Sequence, residues 1–303
     1  MSRRRRGRDV NGVVVLDKPR GMSSNDAVQR VKRMYSARKV GHTGSLDPLA
    51  TGVLPLCLGD ATKFSQYLLT SDKTYVATLR LGVSTDSGDS DGRILEQRAV
   101  GDMPRERIEE ALDDFRGDIE QVPSMFSAVK HQGKPLYKLA RQGIEIEREA
   151  RPVTIYRNEI VDFTDDRLTL EVHCSKGTYV RTIAHDLGEQ LGCGAHVEAL
   201  RRTTAGPYRE DDLVTFDEMS RMAELGRLDE ALQPVATAVG QWPTVELAGA
   251  PAFYLKQGQP VLVPHAPTEG WVRLYEQENN DGRFIGVGEI LGDGRVAPRR
   301  LIV

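Results

Sequence analysis

The stretch GHTGSLDPLATGVLP, residues 41–55, places a single carboxylate, Asp47, among glycines, prolines, small side chains and one histidine. Glycine and proline at that density hold a loop on a defined path and let another chain approach its backbone closely. An Asp-Pro pair is by itself an ordinary turn former, so the loop reads either as a rigid turn or as a platform presenting one acid. Outward from it, Val53 to Leu58 reads as a buried strand, and Asp60 opens a helix running to about Leu69. Upstream, Gly12 to Leu16 reads as a short strand leading into a turn over 17–21. Ser23 or Ser24 then caps a helix with Ala27, Val28, Val31 and Met34 on one face.

Residues 74–81 alternate, with Tyr75, Ala77, Leu79 and Leu81 on one face and Thr74, Val76, Thr78 and Arg80 on the other, the pattern of a half-buried strand. TDSGDSDG, residues 85–92, is an acidic turn. Its Asp86, Asp89 and Asp91 are not evenly spaced by two, and no Glu follows at the distance a calcium loop requires. A charged amphipathic helix over 104–115 is built on Ile108, Leu112 and Phe115. Residues 121–150 interleave Lys130, His131, Lys134, Lys138 and Arg141 with Phe126 and Tyr137. Cations for phosphates beside aromatic stacking faces suit an RNA-gripping insert. The SxxK spacing from Ser127 to Lys130 lacks the companion motifs of penicillin-binding enzymes and is taken as a chance match. Strands over 152–163 and 167–174, joined at Asp165-Asp166, predict a hairpin, and 178–191 a helix closed by the glycines of LGCG. Residues 208–244 read as acidic helix or loop. From about Val245, short strands cut by Gly and Pro predict a small β domain.

At 303 residues, 39% hydrophobic and 28% charged, the chain has the composition of a soluble protein with room for a large domain and a small one. No apolar run reaches the length of a membrane span, and the basic start MSRRRRGRD is followed by only four apolar residues, too few for a signal peptide. A cytoplasmic location is expected. Cys57, Cys174 and Cys193 form no CxxC pair, so neither a zinc site nor a disulfide framework is expected. The net charge of -3 argues against a polyanion partner, but its distribution argues for one. Residues 1–63 carry thirteen Lys or Arg against five Asp, whereas 64–120 carry seven basic against thirteen acidic residues. Charge so segregated is an electrostatic footprint for nucleic acid.

These motifs, taken in order, resemble the TruB family, the bacterial tRNA pseudouridine synthases. The resemblance runs through DKPRGMSSNDAV at 17–28, the Asp47 loop, GDATKFSQYLL, KTYVATLRLG, FRGDIEQVPSMFSAVKHQGKPLYKLARQG, EVHCSKGTYVRT, LGCGAH and the terminal VAPRRLIV, essentially the whole chain. It implies an α+β fold of the pseudouridine synthase type, a mixed, mainly antiparallel sheet with flanking helices. A catalytic domain over 1–244, with a thumb-like RNA-binding insertion at 121–150, would precede a PUA-like RNA-binding domain over 245–303. The implied activity is isomerisation of uridine 55 in the TΨC loop of tRNA. It would need no cofactor, metal, guide RNA or protein partner, and a monomer is expected.

By the same resemblance Asp47 is the catalytic residue, attacking the target nucleotide before the glycosidic bond breaks, the base rotates and C1′ rejoins at C5. Attack at C1′, attack at C6 and elimination through a glycal all use an ionised carboxylate shielded from water. Arg181, in KGTYVRT, would pair with Asp47, and Asp89 would help hold that arginine. Tyr75 would stack on the flipped base as a candidate proton acceptor, and Tyr179 and Leu200 would line the base pocket. His42 would fill or border the space the uridine leaves. Lys130, Lys134, Arg201 and Arg202 are candidate backbone contacts. Lys18 and Pro19 match a supporting motif. From the residues alone, a non-catalytic tRNA-folding module and a glycosylase releasing uracil remain alternatives.

Overall fold

The computed structural model describes residues 7–127, 129–278 and 281–302. Val13 to Leu16 are buried on both faces: Val14 and Leu16 join one core cluster, Val13 and Val15 another on the opposite face. A strand covered on both sides reads as an unbroken apolar run. Their strand, Gly12–Lys18, edges a nine-stranded sheet that continues through Thr51–Leu58, Ala195–Ala205, Lys73–Leu81, Arg167–Cys174, Arg151–Thr164 and Gly117–Gln121. Val40–His42 and Tyr208–Arg209 branch from this path. The sheet is mixed and mainly antiparallel, as expected. Among the described residues its one parallel strand pairing sets Arg201 and Arg202 opposite Thr51 and Gly52.

One face of the sheet is covered by the helices Ser24–Met34, Arg105–Asp113, Val180–Gln190 and Phe216–Glu224, whose apolar stripes share a core with Ala77, Leu79 and Leu81. Ser23, not Ser24, caps the first helix by accepting from the Asp26 N–H at 3.1 Å. Ser24 turns inward toward the Asp47 loop. The helix expected over 60–69 is divided into a 3-10 turn, Gly59–Lys63, and a short helix, Ser65–Leu69. The break falls at Phe64, whose fully buried ring packs 5.5 Å from Phe284. The hairpin Arg151–Thr164/Arg167–Cys174 turns at Asp165, in the left-handed region at φ 57°. Within 208–244, Thr215 and Glu218 form a reciprocal capping box for the helix that follows.

A second, four-stranded sheet runs Thr244–Leu247, Gly270–Glu278, Asp281–Ile290, Val296–Leu301, with the helix Gly249–Lys256 beside it. Its Trp271, Phe284 and Val287 pack with Phe64, Tyr67 and Trp242 of the first unit, Trp242 stacking on Trp271 at 5.2 Å. Among the described residues no helix is long and apolar enough to cross a membrane. One close approach matters for the site: a Cβ at Gly188 would lie 2.2 Å from the Ala195 nitrogen. Glycine there lets the helix Val180–Gln190 settle onto the neighbouring strand.

Candidate active site

The Asp47 loop spans the gap between Val40–His42 and Thr51–Leu58 and is held from both sides. Ser24 Oγ accepts from the Leu46 N–H at 2.7 Å and donates to the Leu46 carbonyl at 3.0 Å, and the Gly21 N–H donates to Pro48 O at 2.7 Å. Lys18, fully buried, donates from Nζ to the carbonyls of Pro19, Met22 and Pro48. Burial pushes its pKa down to about 8. The lysine thus ties the first strand to the loop, as the supporting motif implied.

Arg202 closes the loop from the sheet side. Its Nε donates to Val53 O at 2.7 Å and its Nη2 to Gly44 O at 3.3 Å, so one guanidinium clasps the two arms between which Asp47 projects. The strands lie so close that a Cβ on Gly52, at φ +95°, would sit 2.2 Å from the Arg202 carbonyl oxygen. Arg202 is 1% exposed. Buried and bonded to the loop, it is not offered to an RNA phosphate, which corrects its expected role as a backbone contact. Arg201 is also diverted: it donates to both carboxylate oxygens of Asp17 and to Glu210, leaving it engaged rather than offered to a ligand. Replacing Arg202 by methionine leaves two buried carbonyls without their charged donor. We expect a loss of about 3 kcal/mol in stability and at least about a tenfold fall in turnover as the loop loosens. Thermal melts and single-turnover assays on one preparation check both.

Arg181 reaches Asp47 from the first turn of Val180–Gln190. Its Nε lies 2.9 Å from Asp47 Oδ2. Nη1 donates to Ser87 O at 2.8 Å and lies 3.5 Å from Asp89 Oδ2, and Nη2 donates to Phe126 O at 2.9 Å. The arginine is 5% exposed. With both terminal nitrogens engaged, it keeps one orientation. Asp89 is buried and held in turn, its Oδ1 accepting from Ser87 Oγ and from the Asp91 N–H. Backbone bonds between Gly88, Ser90 and Val197 dock that acidic turn on the sheet. The Asp47 side chain keeps 38% of its surface open yet lies deep in a cleft. Burial pushes its carboxyl above the usual carboxylate range, and Arg181 pulls it back.

The cleft is a cavity of about 310 Å³ lined by Asp47, Lys73, Tyr75, Tyr179, Arg181 and Leu200, among others. Tyr75 and Leu200 come from adjacent strands and form its apolar side. Burial raises the Tyr75 phenol despite the nearby Arg202 cation, so the hydroxyl stays protonated at neutral pH. The Tyr179 backbone is fixed by the buried Gln121, which accepts its N–H at 2.9 Å and donates to its carbonyl at 3.3 Å. Lys73 donates to the carbonyls of Leu68, Leu69 and Ser71, and burial, with Arg202, brings it down to about 8. His42 stands apart from the lining. Its half-buried ring lies behind the loop with Nδ1 accepting from the Gly44 N–H at 3.4 Å, and burial lowers its pKa, keeping it neutral.

Lys130 and Lys134 stand exposed on a small hairpin, Lys130–His131/Lys134–Pro135, with Arg141 stacked 5.6 Å over the Tyr137 ring. A larger cavity, about 720 Å³, lies on the opposite face of Lys73–Leu81, bordered by Thr74, His173 and Trp242. It contains neither Asp47, Tyr75 nor Arg181, which all line the smaller cleft. Among the described residues no group of His, Cys, Asp and Glu could hold a metal ion, and all three cysteines are free and buried. Arg202 and Lys73 line the cleft, and Gln121 braces the Tyr179 backbone; the sequence reading places none of the three there. For Arg202 the signal was available, since two-residue spacing puts it on the same strand face as Leu200.

The Arg181–Asp47 pair stands in a cleft of about 310 Å³ on this mixed sheet, and comparison with known proteins gives the class of enzyme that carries it. Residues 32–180 match the TruB family pseudouridylate synthase N-terminal domain. Residues 181–240 match the tRNA pseudouridylate synthase B C-terminal domain, and 243–302 the pseudouridine synthase II TruB C-terminal domain. The chain is 56% identical to tRNA pseudouridine synthase B of Tolumonas auensis, covering 100% of this chain and 96% of that protein. It is 55% identical to the protein of that name from Escherichia coli K12, covering 100% and 99%. Among solved structures, one of a Cbf5-Nop10-Gar1 complex superposes with a TM-score of 0.75 at 28% identity, over 97% of this chain and 85% of that one. An H/ACA RNP bound to a substrate RNA, at 24% identity and TM-score 0.73 over 100% of this chain and 92% of that one, supports the fold. The chain belongs to the TruB family of pseudouridine synthases. It is an isomerase, of the kind its curated relatives name for tRNA.

Proposed function

We propose that this protein converts uridine 55 in the TΨC loop of tRNA to pseudouridine, with Asp47 as its catalytic carboxylate. The observation that carries this is the 2.9 Å Arg181–Asp47 pair inside the cleft that Tyr75 and Leu200 also line. A surface that only binds RNA has no use for a carboxylate set this deep and matched to an immobilised cation. The target base leaves its stack, because neither C1′ nor C5 can be reached inside it, and lies between the Tyr75 ring and Leu200. Arg181 keeps Asp47 ionised and aimed. The C1′–N1 bond breaks, the base turns within the cavity, C1′ bonds to C5, the C5 hydrogen leaves as a proton, and N1 takes up a proton, so the product is an isomer of the substrate. Asp89 acts one step removed, by holding Arg181.

Residues 1–244 form the catalytic domain in this reading and 245–303 a PUA-like RNA-binding domain, the exposed Lys130 and Lys134 of the 121–150 insertion gripping the T arm. The protein works in the cytoplasm as a monomer, without guide RNA, protein partner or cofactor. Mapping by carbodiimide adduct and primer extension on an unmodified transcript tests the position. A stop assigned to nucleotide 55 is expected, absent when that uridine is changed to cytidine; a stop elsewhere would refute the T-loop assignment. Binding should weaken as salt rises, and neutralising Lys130 and Lys134 together should reduce the slope of log affinity against log salt by about one to two. A slope unchanged by those substitutions would remove the hairpin from the interface.

A further inference from the structure

Ser127 is the first residue of the SxxK spacing that the sequence offers no use for. In the structure it lines the same cavity as Asp47, Tyr75 and Arg181. It is 4% exposed, and its Oγ is shielded from solvent with no hydrogen-bond partner among the described residues. Several hydroxyls around the site are engaged. Ser24 bonds Leu46, Ser87 bonds Asp89, Thr85 bonds the Asp89 carbonyl, Thr178 bonds the Ser175 carbonyl, and Ser175 accepts from the Thr154 N–H. A buried hydroxyl without a partner is costly and uncommon in native proteins, so each one calls for a cause.

The backbone around it is fixed from two directions. The Phe126 carbonyl accepts from Arg181 Nη2 at 2.9 Å, and the Ser127 carbonyl from the Tyr137 N–H at 3.1 Å. The hydroxyl is therefore held at the cavity by the same segment that anchors the arginine of the ion pair on one side and the basic hairpin region on the other. A hydroxyl both donates and accepts, which suits the mixed polar edge of a nucleoside.

We propose that Ser127 Oγ is a substrate-binding group that hydrogen-bonds a polar atom of the inserted uridine, either on the uracil edge or the ribose 2′-hydroxyl. The inference rests on the pseudouridine synthase reading of the cavity and adds a recognition residue to it. The serine gains its partner only when the nucleotide enters.

Ser127→Ala removes the hydroxyl and leaves every backbone bond in place. The free protein should melt no lower than the parent, because no bond is lost. Single-turnover conversion of an unmodified tRNA transcript should fall about three- to tenfold, the worth of one hydrogen bond, and Ser127→Thr should recover part of it. The same substitution in an Asp47→Asn background should weaken equilibrium binding by a similar factor. Repeating that measurement with 2′-deoxyuridine at the target names the atom: a penalty that persists places the bond on the base, and one that vanishes places it on the ribose. Conversion and binding both unchanged by Ser127→Ala, or a lowered melting point with unchanged kinetics, would overturn the proposal. Failure of the unsubstituted protein to convert uridine would instead refute the function, and the binding comparison would still report on Ser127.

Discussion

Asp47→Asn should bind unmodified tRNA about as tightly as the parent and convert essentially none of it, a loss of at least about 10⁴-fold in single-turnover rate. The amide keeps the size and most of the shape of the carboxylate, but it carries no charge to attack the sugar or the base. Arg181 remains held by the Ser87 and Phe126 carbonyls and by Asp89, so the fold survives the loss of one partner. Burial already works against the charged form of Asp47, and a neutral side chain removes that cost. Stability should stay within about 1 kcal/mol of the parent. Gel-shift titration, thermal melting and a conversion assay on one preparation separate these effects. Substantial conversion by the variant would place the chemistry on another group.

Arg181→Met should be the more damaging change. It leaves Asp89, buried, and Asp47, in the cleft, facing each other without the cation between them. Breaking a buried pair from one side costs about 3–5 kcal/mol, and the lower end applies because Asp47 retains some solvent. Conversion should be lost with stability. Arg181→Lys keeps the charge but cannot reproduce the fork that reaches Asp47, Ser87 and Phe126 together, so partial activity is expected. The pH dependence has a definite sign. Asp47 works ionised, and burial places its folded pKa above the ordinary value. Activity therefore falls as pH drops through that raised value. A weaker cationic partner raises it further, so the acid limb of the Arg181→Lys profile should move to higher pH. For stability, a carboxylate with a raised folded pKa costs free energy when ionised and is relieved as pH falls. The deficit of Arg181→Met against the parent should thus narrow toward acid pH. An acid limb that stays in place in Arg181→Lys would contradict the coupling between the two residues.

Much of this architecture is legible in local pattern. Alternation along 74–81 gives the buried face that Tyr75, Ala77, Leu79 and Leu81 share, and the Asp165-Asp166 turn marks the hairpin that the structure contains. What lies beyond local pattern is the joining of distant pieces. Asp47 meets Arg181 because a parallel pairing lays Ala195–Ala205 beside Thr51–Leu58 and the preceding helix settles onto that strand at Gly188. No periodicity within either segment encodes that contact; only the family resemblance supplied it. Arg201 and Arg202 show the other limit. As adjacent basic residues they look equivalent, yet strand geometry sends one to Asp17 and Glu210 and the other beneath the Asp47 loop. The division at Phe64 is likewise set by a ring of the second sheet, Phe284, more than two hundred residues away in sequence.

The most direct test of the central claim is release of tritium from C5-labelled uridine in an unmodified tRNA transcript, with parent and Asp47→Asn assayed side by side. Forming the C1′–C5 bond must expel that hydrogen. Release matching the conversion of a single uridine by the parent, and none by Asp47→Asn, is the predicted result. Release undiminished in Asp47→Asn, or none from a parent that still binds the tRNA, would contradict it.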